Sequence, residues 1–151
     1  MIRSSYFQSI EAFKDKQVIK VLTGIRRCGK SVLMEQFMQT LLDRGVSERQ
    51  ITYIRLDDLN NELLLEYHNL YAFIKSALLE DKMNYVFIDE VQLCNDFQKP
   101  VETLFNYKNV DLYLTGSNAD LLSGELATLL SGRYVTIDML PFSFCEYLEC
   151  I

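Results

Sequence analysis

The chain has 151 residues, 49% of them apolar and 24% charged, with a net charge of −6. That length suits one compact domain, and that composition builds a core and excludes a disordered chain. The negative balance argues against a broad nucleic-acid-binding face, which would be basic, and no apolar run approaches the roughly 20 residues of a membrane span.

Met1 to Ile10 is polar and mixed, without the charged-then-apolar pattern of a signal peptide. Residues 17–23, with the run Val18-Ile19-Lys20-Val21-Leu22, predict a first strand, and residues 30–43 predict a helix stopped near Gly45. Ile51 to Leu56, rich in β-branched and aromatic residues, predicts a second strand. Leu70, Phe73, Ile74, Ala77 and Leu78 recur at helical spacing and predict a helix over 67–81. Tyr85-Val86-Phe87-Ile88 is a continuous apolar run, as expected of a strand buried on both faces. Pro100 fits the first turn of a third helix, with Val101, Leu104 and Phe105 inward. Val110 to Thr115 predicts a fourth strand, and Leu122, Leu126, Leu129 and Leu130 a fourth helix ended by Gly132. Tyr134 to Met139 predicts a fifth strand. Beyond Pro141, Ser143 and Glu146 form an S-x-x-E capping box for one more helix. The chain stops inside that helix, so a piece of a longer protein is expected.

Alternating strands and helices predict an α/β fold: a parallel sheet with helices on both faces and right-handed crossovers. Ligands bind such sheets outside the carboxyl ends of the strands. The four cysteines, Cys28, Cys94, Cys145 and Cys150, form no C-x-x-C pair. Reduced thiols in a cytoplasmic protein are therefore expected.

The segment that carries chemistry is Gly24-Ile25-Arg26-Arg27-Cys28-Gly29-Lys30-Ser31, which fits the phosphate-binding P-loop pattern. Its glycines admit turn conformations that a side chain obstructs, so the backbone N–H groups can form an anion nest. Lys30 can reach the β- and γ-phosphates, and the Ser31 hydroxyl can ligate Mg²⁺. The helix that follows aims its positive end at the same phosphates. Gly24, Ile25, Arg26, Arg27, Cys28, Gly29, Lys30, Ser31 and Val32 are thus the expected nucleotide-contacting residues, with at least one of Arg26 and Arg27 solvated. Cys28, beside a helix N-terminus where thiol pKa values fall, is an expected point of oxidation or alkylation.

A buried strand that ends in Asp89-Glu90 places two carboxylates beside that loop. Asp89 suits Mg²⁺, which takes oxygen ligands and keeps several waters. Glu90 is placed to orient and polarise an attacking water, so phosphoryl transfer to water is the implied reaction. No acceptor-pocket motif favours a small-molecule kinase. Thr115-Gly116-Ser117-Asn118 ends the fourth strand; Ser117, and next to it Asn118, can hold the water or the γ-phosphate, or else cap the following helix. Arg133 can act on a phosphate across a subunit boundary, or else serve as a structural ion-pair partner. Asp57 and Asp58 read as turn or cap residues, His68 as a surface or capping residue, and Phe142, Phe144 and Tyr147 as packing.

Together, the P-loop, Phe87-Ile88-Asp89-Glu90-Val91-Gln92, Thr115-Gly116-Ser117-Asn118, Leu130-Ser131-Gly132-Arg133-Tyr134 and the stretch Leu140 to Leu148 resemble the AAA-type ATPases of the AAA_14 family. The resemblance covers nearly the whole chain. It implies a three-layer P-loop NTPase fold with five parallel strands in the order 5-1-4-3-2. It also implies ATP and Mg²⁺ as ligands, Lys30 and Ser31 on phosphate and metal, Asp89 on metal, Glu90 as the catalytic carboxylate and Ser117 at the sensor position. Relatives of this kind usually continue into a helical lid or winged-helix region and a DUF4143 domain. The expected partners are ATP and ADP, a second copy of the chain if Arg133 acts across a boundary, and a protein whose identity the sequence does not give.

Overall fold

A computed structural model describes residues 3–117 and 132–150. Five strands, β1 (Ile19–Gly24), β2 (Ile51–Arg55), β3 (Asn84–Asp89), β4 (Val110–Gly116) and β5 (Tyr134–Met139), form one sheet in the order β2-β3-β4-β1-β5. Every pairing is parallel, and the order is the one the resemblance implies. The three inner strands are buried along their whole length. They sit between helices on both faces, where no strand residue meets water.

Side chains alternate across a strand, and the two faces of β3 build two cores. Val86 and Ile88 pack with Ile19, Val21, Leu112 and Leu114 under α3 (Tyr67–Ala77) and α4 (Gln98–Phe105). Tyr85 and Phe87 pack with Leu22, Tyr113 and Ile137 under α1 (Ser4–Ala12) and α2 (Lys30–Asp43). The second core is aromatic at its centre: Phe87 stacks on Tyr113 with centroids 4.5 Å apart, and Phe37 of α2 leans on Tyr113 at 5.3 Å. Each such fully buried side chain contributes about 1.5–3 kcal/mol.

That same face carries a buried ion pair. The Lys20 ammonium of β1 donates to Asp111 of β4, whose carboxylate also accepts from the Tyr113 hydroxyl (2.8 Å) and the Asp15 N–H (2.9 Å). Burial pushes the Lys20 pKa down, against the pull of Asp111, and pushes the Asp111 carboxyl up. Removing one partner of such a pair costs about 3–5 kcal/mol, because the other stays buried and uncompensated.

Most boundaries agree with the sequence reading, and the exceptions have physical causes. Helix α1 was not expected, since Ile10 is its one buried residue and Arg3 caps it without a side-chain bond. Helix α3 ends at Ala77 although Leu78 continues its apolar spacing. Asn84 captures the chain there: its side chain accepts from the Leu79 N–H at 2.8 Å and donates to the Leu79 carbonyl at 2.8 Å. The capping box forms as expected. The Ser143 N–H donates to Glu146 (2.7 Å), the Glu146 N–H donates to Ser143 Oγ (3.2 Å), and α5 (Phe144–Cys150) follows. The helix expected from Leu122 to Leu130 lies outside the described residues.

Candidate functional site

The loop Gly24–Ser31 joins β1 to α2 at the carboxyl edge of the sheet. At Gly24, where φ is 151°, a Cβ would stand 2.5 Å from the Met139 carbonyl oxygen and 2.8 Å from Cys28 Sγ, so no side chain fits. Gly29 takes φ 94° and its missing Cβ leaves the Phe142 ring room at 3.4 Å. The Lys30 ammonium folds back into the loop and donates to the carbonyls of Gly24 (2.8 Å) and Ile25 (2.9 Å). Ile25, Arg26 and Arg27 are exposed, and Arg27 adopts a left-handed φ of 65°. Both arginines are therefore on the surface, where at least one was expected to be.

Odd-numbered residues of β3 and β4 point to the α2 face, so Asp89 and Thr115 meet beneath the first turn of α2. Asp89 is 1% exposed. One carboxylate oxygen accepts from the Ser31 hydroxyl at 2.6 Å, and the other accepts from Thr115. The Tyr53 hydroxyl stands 3.4 Å away from the first oxygen, and burial with the Asp89 charge behind it pushes the phenol pKa up, which keeps it a neutral donor. Ser31 and Asp89 thus present hard oxygen donors side by side, a set that suits Mg²⁺.

Glu90 turns the chain off the sheet in a left-handed conformation, φ 57° and ψ 50°. Its N–H donates to Thr115 Oγ1 at 2.9 Å. Its carboxylate accepts from Gln92 Nε2 at 2.6 Å, and the other amide atom of Gln92, Oε1, is buried with no partner among the described residues. Arg27, Gly29, Lys30, Ser31, Glu90 and Phe142 surround a cleft of about 260 Å³. A second hollow of about 330 Å³, lined by Lys75, Leu78, Tyr107 and Asn109, lies at the amino edge of the sheet, away from these groups.

The remaining expected residues are placed as follows. Ser117 follows β4 directly and is half-buried, while Asn118 lies outside the described residues. Arg133 precedes β5 at the amino edge: its carbonyl accepts from the Ile19 N–H, at the start of β1. Five residues of β1, 19–23, separate it from the P-loop, roughly 16 Å along the strand. Its guanidinium lies 3.5 Å from Glu102 and over the Phe105 ring. The structure therefore does not bring Arg133 to the P-loop of its own chain. Asp58 caps the turn after β2 by accepting from the Asn60 N–H at 2.9 Å, Asp57 pairs with Arg55, and His68 is exposed beside Tyr67, all as expected.

Two expectations need correction. Cys28 is 1% exposed and belongs to the core with Leu22, Leu33 and Met139, so it is no ready target for oxidants. Phe144 and Tyr147 are 75% and 59% exposed, not packed among the described residues. Thr115, Tyr53, Gln92 and Arg3 were missed. The first two carry a signal: each is polar, on the α2 face, at or near a strand tip beside Asp89. Arg3 and Gln92 carry none that spacing reveals.

A family model described as "AAA domain", AAA_14, matches residues 16–148. The chain belongs to this family. The AAA_14 domain is 41% identical over 148 residues to an uncharacterized protein of Haemophilus influenzae, covering 97% of this chain and 37% of that protein. An uncharacterized protein of Methanocaldococcus jannaschii is 33% identical over 136 residues, covering 87% and 28%. The chain thus spans about a third of the length of these curated relatives. Among solved structures, a chain of Drosophila ORC bound to DNA is similar with TM-score 0.61 at 16% identity, covering 96% of this chain and 94% of that one. Caenorhabditis elegans PCH-2 is similar with TM-score 0.54 at 21% identity, covering 91% and 41%. At these identities the likeness shows the fold alone.

Proposed function

We propose that this AAA_14 domain binds Mg·ATP and hydrolyses it, coupling nucleotide state to a change of conformation. The observation that carries the reading is the 2.6 Å contact between the Ser31 hydroxyl and the Asp89 carboxylate, at the mouth of a glycine loop that already holds a buried lysine. In this reading the backbone of Gly24 to Val32 cradles the phosphates, and Lys30 leaves the Gly24 and Ile25 carbonyls for phosphate oxygens. Ser31 and Asp89 hold Mg²⁺, which when bound offsets charge on the phosphate oxygens. Glu90 takes the proton of the attacking water, and Ser117, or Asn118 next to it in sequence, would hold that water or the γ-phosphate. Arg133, remote from its own P-loop, either acts on a phosphate in a neighbouring copy of the domain or serves as the ion-pair partner of Glu102. The net charge of −6 lends no support to a nucleic-acid surface on this domain.

The test is ATP binding and turnover in two variants. Lys30→Ala is expected to abolish binding. Glu90→Gln is expected to keep binding and lose turnover by about 10²-fold or more. Parent-like hydrolysis by Glu90→Gln would remove Glu90 from the reaction.

One observation favours a second reading, a nucleotide-dependent switch with little turnover: the Glu90 carboxylate is already engaged by Gln92 at 2.6 Å. Lys30-dependent ATP binding without ADP release, in this chain and in one extended past Ile151, would decide for the switch.

A further inference from the structure

We infer that Arg3 is a positioning residue that couples occupancy of the P-loop to the position of α5. The inference rests on the reading of the P-loop as an ATP site.

Arg3 precedes α1, yet it is 8% exposed and its guanidinium joins three segments far apart in sequence. Nη1 donates to the Cys28 carbonyl inside the P-loop at 2.9 Å and to the Leu140 carbonyl after β5 at 2.8 Å. Nε and Nη2 donate to the two carboxylate oxygens of Glu146 at 2.9 and 3.2 Å. The rings of Tyr6 and Phe142 flank the guanidinium at 4.6 and 4.8 Å. Four of the five N–H donors of an arginine are thereby directed, in the planar fork that a lysine cannot reproduce.

Each contact has a consequence at one end of this link. A trans peptide points its C=O and N–H in opposite directions. By holding the Cys28 carbonyl, Arg3 turns the Gly29 N–H away from itself, and Gly29 lines the cleft. The orientation of one nest donor is thus set by Arg3. At the other end, Glu146 accepts from the Ser143 N–H at 2.7 Å and so starts α5. Arg3 grips the residue that caps that helix. Phe142 completes the path, since its ring lies against both Arg3 and Gly29. When anion binding reorients the Cys28–Gly29 peptide, the carbonyl moves against Arg3, and the paired Glu146 carries the displacement to α5.

The chain contains no tryptophan. Tyr147→Trp, on the exposed side of α5, therefore gives a single emitter, with ATP binding measured separately by equilibrium dialysis in the presence of Mg²⁺. The expected result is an ATP-dependent shift of Trp emission in the Tyr147→Trp chain. Arg3→Met should bind ATP roughly three- to tenfold more weakly, the loss of a charge-assisted bond to the loop, and should show no emission shift at saturating ATP. Arg3→Lys should not restore the shift. Glu146→Gln, which leaves the Cys28 contact in place, should keep ATP affinity within about twofold and lose most of the shift, since a neutral amide accepts weakly from arginine. A parent-sized shift in Arg3→Met or in Glu146→Gln, or ATP binding without any shift in the parent, overturns the inference and leaves the ATP site standing. Should Arg3→Met fail to fold, Arg3→Lys and Glu146→Gln decide it. ATP binding that is absent, or indifferent to Lys30→Ala, would instead overturn the ATP reading and this inference with it.

Discussion

The Thr115 hydroxyl bonds both carboxylate-bearing residues that end β3: it donates to the Asp89 side chain and accepts from the N–H of Glu90. One side chain of β4 therefore fixes the orientation of Asp89 and the point at which Glu90 leaves the sheet. Thr115→Val keeps the shape and removes both bonds, leaving a buried carboxylate oxygen and a backbone N–H less well paired. The expected cost is about 1–3 kcal/mol, seen as a lower urea midpoint with an unchanged slope. Thr115→Ser should recover most of it. If the valine variant melted with the parent, the hydroxyl would contribute nothing net.

Gln92 touches the proposed reaction through Glu90. Its amide holds the carboxylate at 2.6 Å while its own oxygen is buried without a partner among the described residues. That bond occupies one of the two carboxylate oxygens and fixes where the carboxylate points. Gln92→Ala should therefore raise basal ATP turnover by about three- to tenfold, the scale of one charge-assisted hydrogen bond, with ATP affinity unchanged. A fall in turnover would reverse the role and make Gln92 the residue that aims Glu90.

The thiols sort by burial. Cys145 is exposed, whereas Cys28 and Cys94 are each 1% exposed. Residue-resolved mass spectrometry after brief alkylation of the folded chain should find Cys145 modified and Cys28 and Cys94 protected. Burial pushes the Cys94 thiol from 9.0 up to about 11. Because the folded pKa is the higher one, its stabilising contribution is complete below the unfolded value of 9.0 and is lost as pH climbs toward about 11. Denaturation by base should therefore begin above about pH 9 and be blunted in Cys94→Ala relative to its own neutral-pH stability. Early labelling of Cys28 would show that the loop opens on its own.

The parts of the molecule governed by local pattern were legible in the sequence. A continuous apolar run marked β3 because that strand is buried on both faces, and β1 and β4 read as strands although Lys20 and Asp111 interrupt their apolar residues. The glycine spacing marked the P-loop because Gly24 leaves no space for a Cβ. The capping box marked α5 because both of its bonds are local. What was not legible depends on tertiary contact. Helix α1 turns Tyr6, Phe7 and Ile10 toward the second core, a short face in a segment that reads as polar and mixed, and Arg3 earns its place only by reaching residues 25, 137 and 143 positions away. Thr115 enters the site because Ile88 pairs with Leu114, a register that no single segment encodes. Phe144 and Tyr147 looked like core residues by composition alone, and the described domain offers them nothing to pack against.

The position of β1 in the sheet sets a schedule for synthesis. Its two neighbours in the sheet are β4 and β5, so the strand that leads into the P-loop takes its backbone partners from residues 110–116 and 133–139. The Lys20 ammonium likewise finds its counter-charge 91 residues later. A ribosome that has released only the first hundred residues has made the whole glycine loop with no sheet to hold its leading strand. β2 can already pair with β3 at that stage, because both precede residue 100. The glycine loop must then wait for the last third of the chain, and until that arrives Lys20 is an unpaired charge that keeps the unfinished segment in water.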